Sequence, residues 1–250
     1  MQITLSELIS AISSVAAFVT AIIVFFTLLE MIRQRQSTYK PDLVCKSTQF
    51  FVSADVIDTL QYTISTKDND DKGDQNRRAP QGRAFNIGLG SAKNLILTWR
   101  FDHDRAIEDV SRLNLELGLS LFVEENILKI KGKFGGIHIN LANDNFQNID
   151  YILPVSITNE PVSIHIPFSY VHLLSIYSIF QMYNDSENAL DALSSFPQIW
   201  LTIKFKDVGG RVYKKKYGIN ARYQYIQWGG GDVRPSKNIK FSIFLEFEEL

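Results

Sequence analysis

The densest run of small residues in the chain is Asn86 to Asn94, NIGLGSAKN, and the chemistry its glycines suggest is phosphate binding. A dinucleotide loop needs G-x-G-x-x-G opening a helix, because the third glycine permits close helix packing and the helix N-terminus meets the pyrophosphate. Here Lys93 occupies the third glycine position, and the NLILTW that follows is strand-like. No helix dipole is therefore aimed at a ligand. The G-K-[ST] of a P-loop does not occur either. The run reads as a structural turn in which Gly88 and Gly90 supply backbone angles closed to other residues, while Asn86 and Asn94 bond neighbouring main chain at a strand crossing or bulge.

Other reactive side chains are scattered. The four histidines, His103, His138, His165 and His172, form no H-x-x-x-H and sit beside no cysteine pair, so no metal site is assigned. Asp102-His103-Asp104 reads as a charged turn entering a helix, with Asp104 as its cap. Cys45, the single cysteine, lies in a strand and reads as a buried or half-buried thiol; it has no internal disulfide partner, which fits a reducing compartment. The nucleophile elbow G-x-S-x-G is absent. No catalytic residue and no cofactor is assigned, and a membrane-bound hydrolase or nuclease stands as the weakest of three functional readings.

One local electrostatic feature stands out against a net charge of −1. From Lys204 to Lys216 the chain carries six basic residues and one acidic residue, and the alternation of QIWLTIKFK and RVYKKKYGI around DVGG predicts a hairpin. On that hairpin Lys204 and Lys206 share a face with Lys214 and Lys216, with Arg211 near the turn. Three uses are open: a solvated outer face, contact with anionic lipid, or capture of a phosphate-bearing ligand such as a nucleotide signal or nucleic acid. Tyr213, Tyr217, Tyr223, Tyr225 and Trp228 are placed either for base stacking or for a β core.

The elements that would hold these residues begin with a hydrophobic segment. Leu8 to Leu29 runs 22 residues without a charge, proline or glycine, and at 1.5 Å per residue it spans roughly 33 Å, the thickness of a bilayer core. The segment is too long for a signal peptide, and only Glu7 precedes it while Arg33, Arg35 and Lys40 follow. The positive-inside bias then puts the N-terminus outside and the remainder in the cytoplasm, a single-pass protein of the inner (cell) membrane. Ser10, Ser14, Ala17 and Ala21 recur on one small face, which suits close helix approach in a homo-oligomer.

Beyond the linker RQRQSTYKP, short runs rich in Val, Ile, Thr, Tyr and Phe alternate with turn residues. DRAIEDVSRLNLELGLSLFVEEN carries a helical period, and PFSYVHLLSIYSIFQMYN is an apolar stretch too short and too polar for a second span, so a buried helix is expected. Leu190 to Phe196 closes a short helix. KFSIFLEFEEL is a half-buried last strand, with Phe241, Ile243, Leu245 and Phe247 on one side. The chain is therefore mainly β: an N-terminal single transmembrane α-helix over residues 1–36, then an antiparallel β-sandwich over residues 37–250 with one or two inserted helices and a mobile loop near residues 67–83.

FNIGLGSAKNLILTW resembles the N-x-G-x-G-x-A-x-N strand motif of poorly characterised bacterial proteins made of one N-terminal transmembrane helix and a cytoplasmic β-sandwich; in many of them proline stands at the position of Ser91. DYILPV, IHIPFSYVHLLSIY and LTIKFKDVGGRVYKKKYGI are similar to later parts of that group. The resemblance implies a small membrane-linked component of a bacterial stress or phage-defence locus, and it brings no catalytic residues. The expected partners are the lipid bilayer, further copies of the chain and a protein encoded nearby. The expected role is a non-enzymatic sensor or effector whose clustered helices perturb the membrane, with a tethered scaffold as the alternative.

Overall fold

The computed structural model describes residues 5–56, 60–66, 80–114, 120–132, 135–140, 145–184, 193–229 and 238–250. It opens with α1 (Leu5–Thr38), 34 residues long and thus about 51 Å from end to end. The strands and helices that follow are β1 (Leu43–Lys46), β2 (Thr48–Val56), β3 (Leu60–Ser65), β4 (Gln81–Asn86), β5 (Ala92–Arg100), α2 (His103–Asn114), β6 (Ser120–Glu124), β7 (Ile127–Gly132), β8 (Gly135–Asn140), β9 (Phe146–Ile152), β10 (Val162–His165), α3 (Phe168–Asn184), β11 (Ile199–Lys206), β12 (Val212–Gly229) and β13 (Asn238–Glu249).

The strands form a seven-stranded antiparallel sheet, ordered β3-β2-β13-β12-β11-β5-β9, and two three-stranded sheets, β1-β4-β10 and β6-β7-β8. Period-two alternation decides which side of the large sheet is buried. On β11, Ile199, Leu201, Ile203 and Phe205 are buried while Trp200, Lys204 and Lys206 are exposed; on β13, Ile239, Phe241, Ile243 and Leu245 are fully or almost fully buried. The β1-β4-β10 sheet covers one end of this inner face, where the Tyr217 hydroxyl donates to the Leu43 carbonyl at 2.6 Å. A Cβ added at Gly82 would lie 3.1 Å from the Phe247 ring, so β4 and β13 approach closely there. The fold is a β-sandwich carrying two inserted helices.

α3 fills the rest of the inner face. Twelve of its side chains are buried, from Ser169 to Met182. An apolar helix surrounded on all sides belongs in a core. Its serines 175 and 178 bond back to the carbonyls of Val171 and Leu174, both at 2.7 Å, so no hydroxyl of the pair is left bare in the apolar interior. α2 packs against α3, and the Asn184 amide donates to the Leu113 carbonyl at 2.8 Å. α1 is the opposite case. Its window Ile12–Arg35 is apolar enough to cross a membrane and is 0% buried against the rest of the chain.

Several expectations are corrected. The helical period read through Asn126 gives a helix only as far as Asn114, and Ser120–Glu124 within it is strand β6, followed by a turn at Glu125 and Asn126. Asp102, not Asp104, caps α2, its Oδ1 accepting from the Arg105 amide at 3.0 Å. The loop near residues 67–83 is cut short: Gln81, Gly82 and Arg83 are β4 strand, paired with β1 and β10, and residues 67–79 lie outside the described residues. The helix expected from Leu190 to Phe196 is a single 3-10 turn, Leu193–Ser195, among the described residues. The anchor helix continues to Thr38, two residues beyond its expected end.

Candidate functional site

Asn86 closes β4 with its side chain fully buried. Its Oδ1 accepts from the Asp42 amide at 3.0 Å and the Gly88 amide at 3.2 Å, and its Nδ2 donates to the Gly90 carbonyl at 2.7 Å and the Ile152 carbonyl at 3.2 Å. Every donor and acceptor of the amide is matched, as a buried polar group requires. The four bonds join the chain leaving α1, the motif loop and the end of β9. The backbone carbonyl of Asn86 also accepts from Val155 at 2.8 Å.

The two glycines of the motif serve the same junction. A Cβ at Gly90 would overlap the Tyr39 carbonyl, and one at Gly88 would overlap the Lys40 carbonyl and the Asp42 amide. The expected reason for these glycines, special backbone angles, is corrected: among the described residues Gly210 is the glycine with positive φ, at 84°, and the left-handed residue of the motif is Asn94, at 50°. Gly88 and Gly90 are small because the exit of α1 lies against them. The phosphate-loop reading is excluded by the same contacts, since the Gly88 amide is engaged by Asn86 and backbone occupies the space over both glycines.

The lysine hairpin forms the other candidate site. Lys204 pairs directly across from Lys214, and Lys216 lies across from Thr202, so the outer faces of β11 and β12 carry Lys204, Lys206, Lys214 and Lys216, all exposed. The β5–β11 pairing adds two cations that no local pattern announces: Lys93 opposite Lys206, and Arg100 opposite Trp200. Trp200, 43% exposed, and Ile96, 39% exposed, lie among them. None of these six cations makes an ion pair among the described residues. Arg211 sits in the turn, its amide donating to Asp207 Oδ1 at 2.9 Å.

The strand faces settle two details of this patch. Lys215 faces inward, between Asp42 at 2.6 Å and Glu249 at 2.9 Å. Burial opposes its charge, but bonds to the two carboxylates outweigh burial and raise its pKa, so it ties α1's exit to β12 and adds nothing to the outer field. The aromatic residues, open from the sequence to either stacking or a core role, divide by face. Tyr213 stacks on Phe205 with ring centroids 5.4 Å apart, and Tyr217 is buried. Tyr223 meets Phe241 edge-on in the core. Tyr225 is exposed, and the side chain of Trp228 lies outside the described residues. An open sheet face with Trp200 at one end suits a broad anionic surface better than a small enclosed ligand.

The remaining groups have no convergent geometry. Burial pushes the Cys45 thiol up to about 12, so it is not a thiolate nucleophile. His172 Nδ1 and the Tyr62 hydroxyl share a hydrogen bond, and burial lowers the His172 pKa to about 4. A cleft of about 390 Å³ between α2 and α3 is lined by Arg105, Arg112, Glu108 and Asp109, whose charges are paired with one another. No group of three or more His, Cys, Asp or Glu side chains is placed to hold a metal among the described residues. In α1, Ser10, Ser14, Ala17 and Ala21 are exposed, and the Ser14 hydroxyl bonds the Ser10 carbonyl at 2.9 Å. No protein-family model, curated protein or solved structure matches the chain.

Proposed function

We propose that this protein is a single-pass membrane-tethered sensor or effector without enzymatic chemistry. α1 crosses the inner membrane with its N-terminus outside, and the sandwich lies on the cytoplasmic side. The lysine-rich outer face recognises an anionic signal or partner, and clustering of α1 copies through Ser10, Ser14, Ala17 and Ala21 perturbs the bilayer. The observation that carries this reading is the contrast along α1: its apolar segment is unburied, with Phe18 67% and Phe26 63% exposed, while its exit is held by Asn86 and Lys215. A helix held in this way transmits a change in the domain to its membrane segment. The bacterial stress or phage-defence setting is what the motif resemblance implies for such a protein.

A second reading, a tethered scaffold that recruits a neighbouring protein without disturbing the membrane, is favoured by one feature of the helix. The hydroxyls of Ser13, Ser14, Thr20 and Thr27 each bond the carbonyl four residues back, which leaves little polar adhesive between copies. The full chain, expressed with and without Ser14→Leu and Ala17→Leu, separates the two. Loss of both oligomer size in detergent and dye leakage in the variant supports the effector. Wild-type cells that never leak, with oligomer size unchanged by the substitutions, leave the scaffold.

A further inference from the structure

We propose that the end of the sandwich from which α1 emerges is itself a membrane-docking face, resting on the anionic bilayer surface that α1 crosses; this rests on the membrane-spanning reading of α1. The strand ends converge there. β4 ends at Asn86, β5 begins at Ala92, β9 ends at Ile152, β11 ends at Lys206 and β12 begins at Val212. The register confirms one common end: Lys206 lies opposite both Lys93 and Val212, and Ala92 lies opposite Ile152. The chain from α1 enters between these tips, with the Lys40 ammonium 5.5 Å from the Tyr213 ring centroid.

The tips carry the wrong residues for water. Ile87 is 58% exposed and Leu89 56%, both in the loop that receives the α1 exit; Ile157 is 67% exposed in the turn bonded to Asn86, and Val208 and Val212, at the β11–β12 tip, are each 66% exposed. Single exposed apolar residues are ordinary, but five on the loops of one end form a pattern that needs an apolar neighbour. Cations stand directly behind them, Lys206, Lys93 and Lys214, none with an ion-pair partner among the described residues. Apolar tips backed by lysines match the order of a bilayer surface, where the acyl boundary lies below the headgroup charge.

Distance supports the same conclusion. From Leu29 to Thr38 the helix rises about 13 Å, of which the headgroup layer takes roughly 5 to 7 Å. The tips beside Tyr39 thus start within about one Debye length of the lipid charge, and a modest helix tilt closes the gap. A polyanion in water, such as a nucleic acid, would use the lysines and leave the five apolar side chains unexplained.

The test places the full chain in lipid nanodiscs of phosphatidylcholine alone or with three-tenths phosphatidylglycerol. Nitroxide labels go at Leu89→Cys and Val208→Cys in a Cys45→Ala background, with Val19→Cys reporting α1 and Gln227→Cys the far end of β12. Oxygen against nickel-chelate accessibility is expected to place labels 89 and 208 in the interface in anionic discs and label 227 in water. Each lysine near the surface favours docking about fivefold, so Lys93→Gln, Lys206→Gln and Lys214→Gln together cut the docked population ratio about 100-fold.

The unmodified chain gives an independent readout: amide exchange of residues 87–91 and 208–211 slows in anionic discs relative to neutral ones. Labels 89 and 208 as water-accessible as label 227, with label 19 in hydrocarbon, would overturn docking while leaving the anchor intact. Label 19 in water overturns both readings. Aqueous tips combined with lysine-dependent binding of a single-stranded oligonucleotide would reassign the face to nucleic acid and refute the docking proposal.

Discussion

Replacing Asn86 with alanine tests whether the motif is a clasp. The substitution removes four hydrogen bonds, two accepted and two donated, from a side chain with no exposed surface. At about 1 kcal/mol net per bond the cost is about 4 kcal/mol, and stranding the Asp42 amide or the Ile152 carbonyl without water raises it further. That is a large part of the 5 to 15 kcal/mol by which domains of this kind are typically stable. Denaturant unfolding of the full chain in detergent, followed by tryptophan fluorescence, is expected to lower the midpoint by that free energy divided by an unchanged slope. Asn86→Asp is a sharper probe, because it keeps Oδ1 in place but turns a carboxylate oxygen toward the carbonyls of Gly90 and Ile152. It should cost at least as much as alanine at neutral pH. The contrasting site is Asn94, exposed and at φ 50°, where alanine costs only about 1 to 2 kcal/mol through its left-handed backbone. If Asn86→Ala stays within about 1 kcal/mol of wild type, the four bonds do not hold the junction and the argument built on them fails.

Two further predictions concern groups away from the junction. His172, held neutral by burial with a pKa near 4 against about 6.5 when unfolded, lets the unfolded chain take the proton first. Stability from this residue is therefore complete above about pH 6.5 and falls as pH drops toward 4, by at most about 3 kcal/mol; unfolding curves of wild type and His172→Gln across that window should converge toward low pH, and parallel curves would contradict the assignment. Cys45, 7% exposed with its thiol pushed to about 12, should react with a thiol reagent at neutral pH only as fast as the domain opens. Labelling at the rate of a free thiol in the folded state would show that the pocket around it is wrong.

How much of this was legible in the residues follows from what each pattern depends on. The apolar helix α1, the β11–β12 hairpin and β13 are set by short-range regularities: an uninterrupted apolar run, and strict alternation on either side of a turn. Those regularities survive whatever the rest of the chain does. The helical reading failed over Ser120–Glu124, where apolar Leu121, Phe122 and Val123 fit a strand as well as a helix and pairing with β7 decides the matter. The extension of the lysine face to Lys93 and Arg100 could not be read at all. It depends on β5 lying beside β11, a neighbour one hundred or more residues away in sequence.

The glycines of the motif show why a correct location can carry a wrong cause. A missing Cβ serves two physical purposes, access to positive φ and close approach of another chain segment. The sequence around Gly88 and Gly90 is compatible with both, since the identity of the approaching segment is a tertiary fact. The segment turns out to be Tyr39 to Asp42, the stretch that joins α1 to the sandwich. That choice of partner has a functional consequence. A pair of turn glycines would fix only a corner of β4 and β5, whereas glycines that seat the anchor, together with Asn86 and the Lys215 ion pairs to Asp42 and Glu249, fix the sandwich against α1. On the proposed reading, that fixed junction gives the apolar tips and the lysine face a set height above the bilayer, and the Lys215–Asp42 ion pair links β12 to the helix exit.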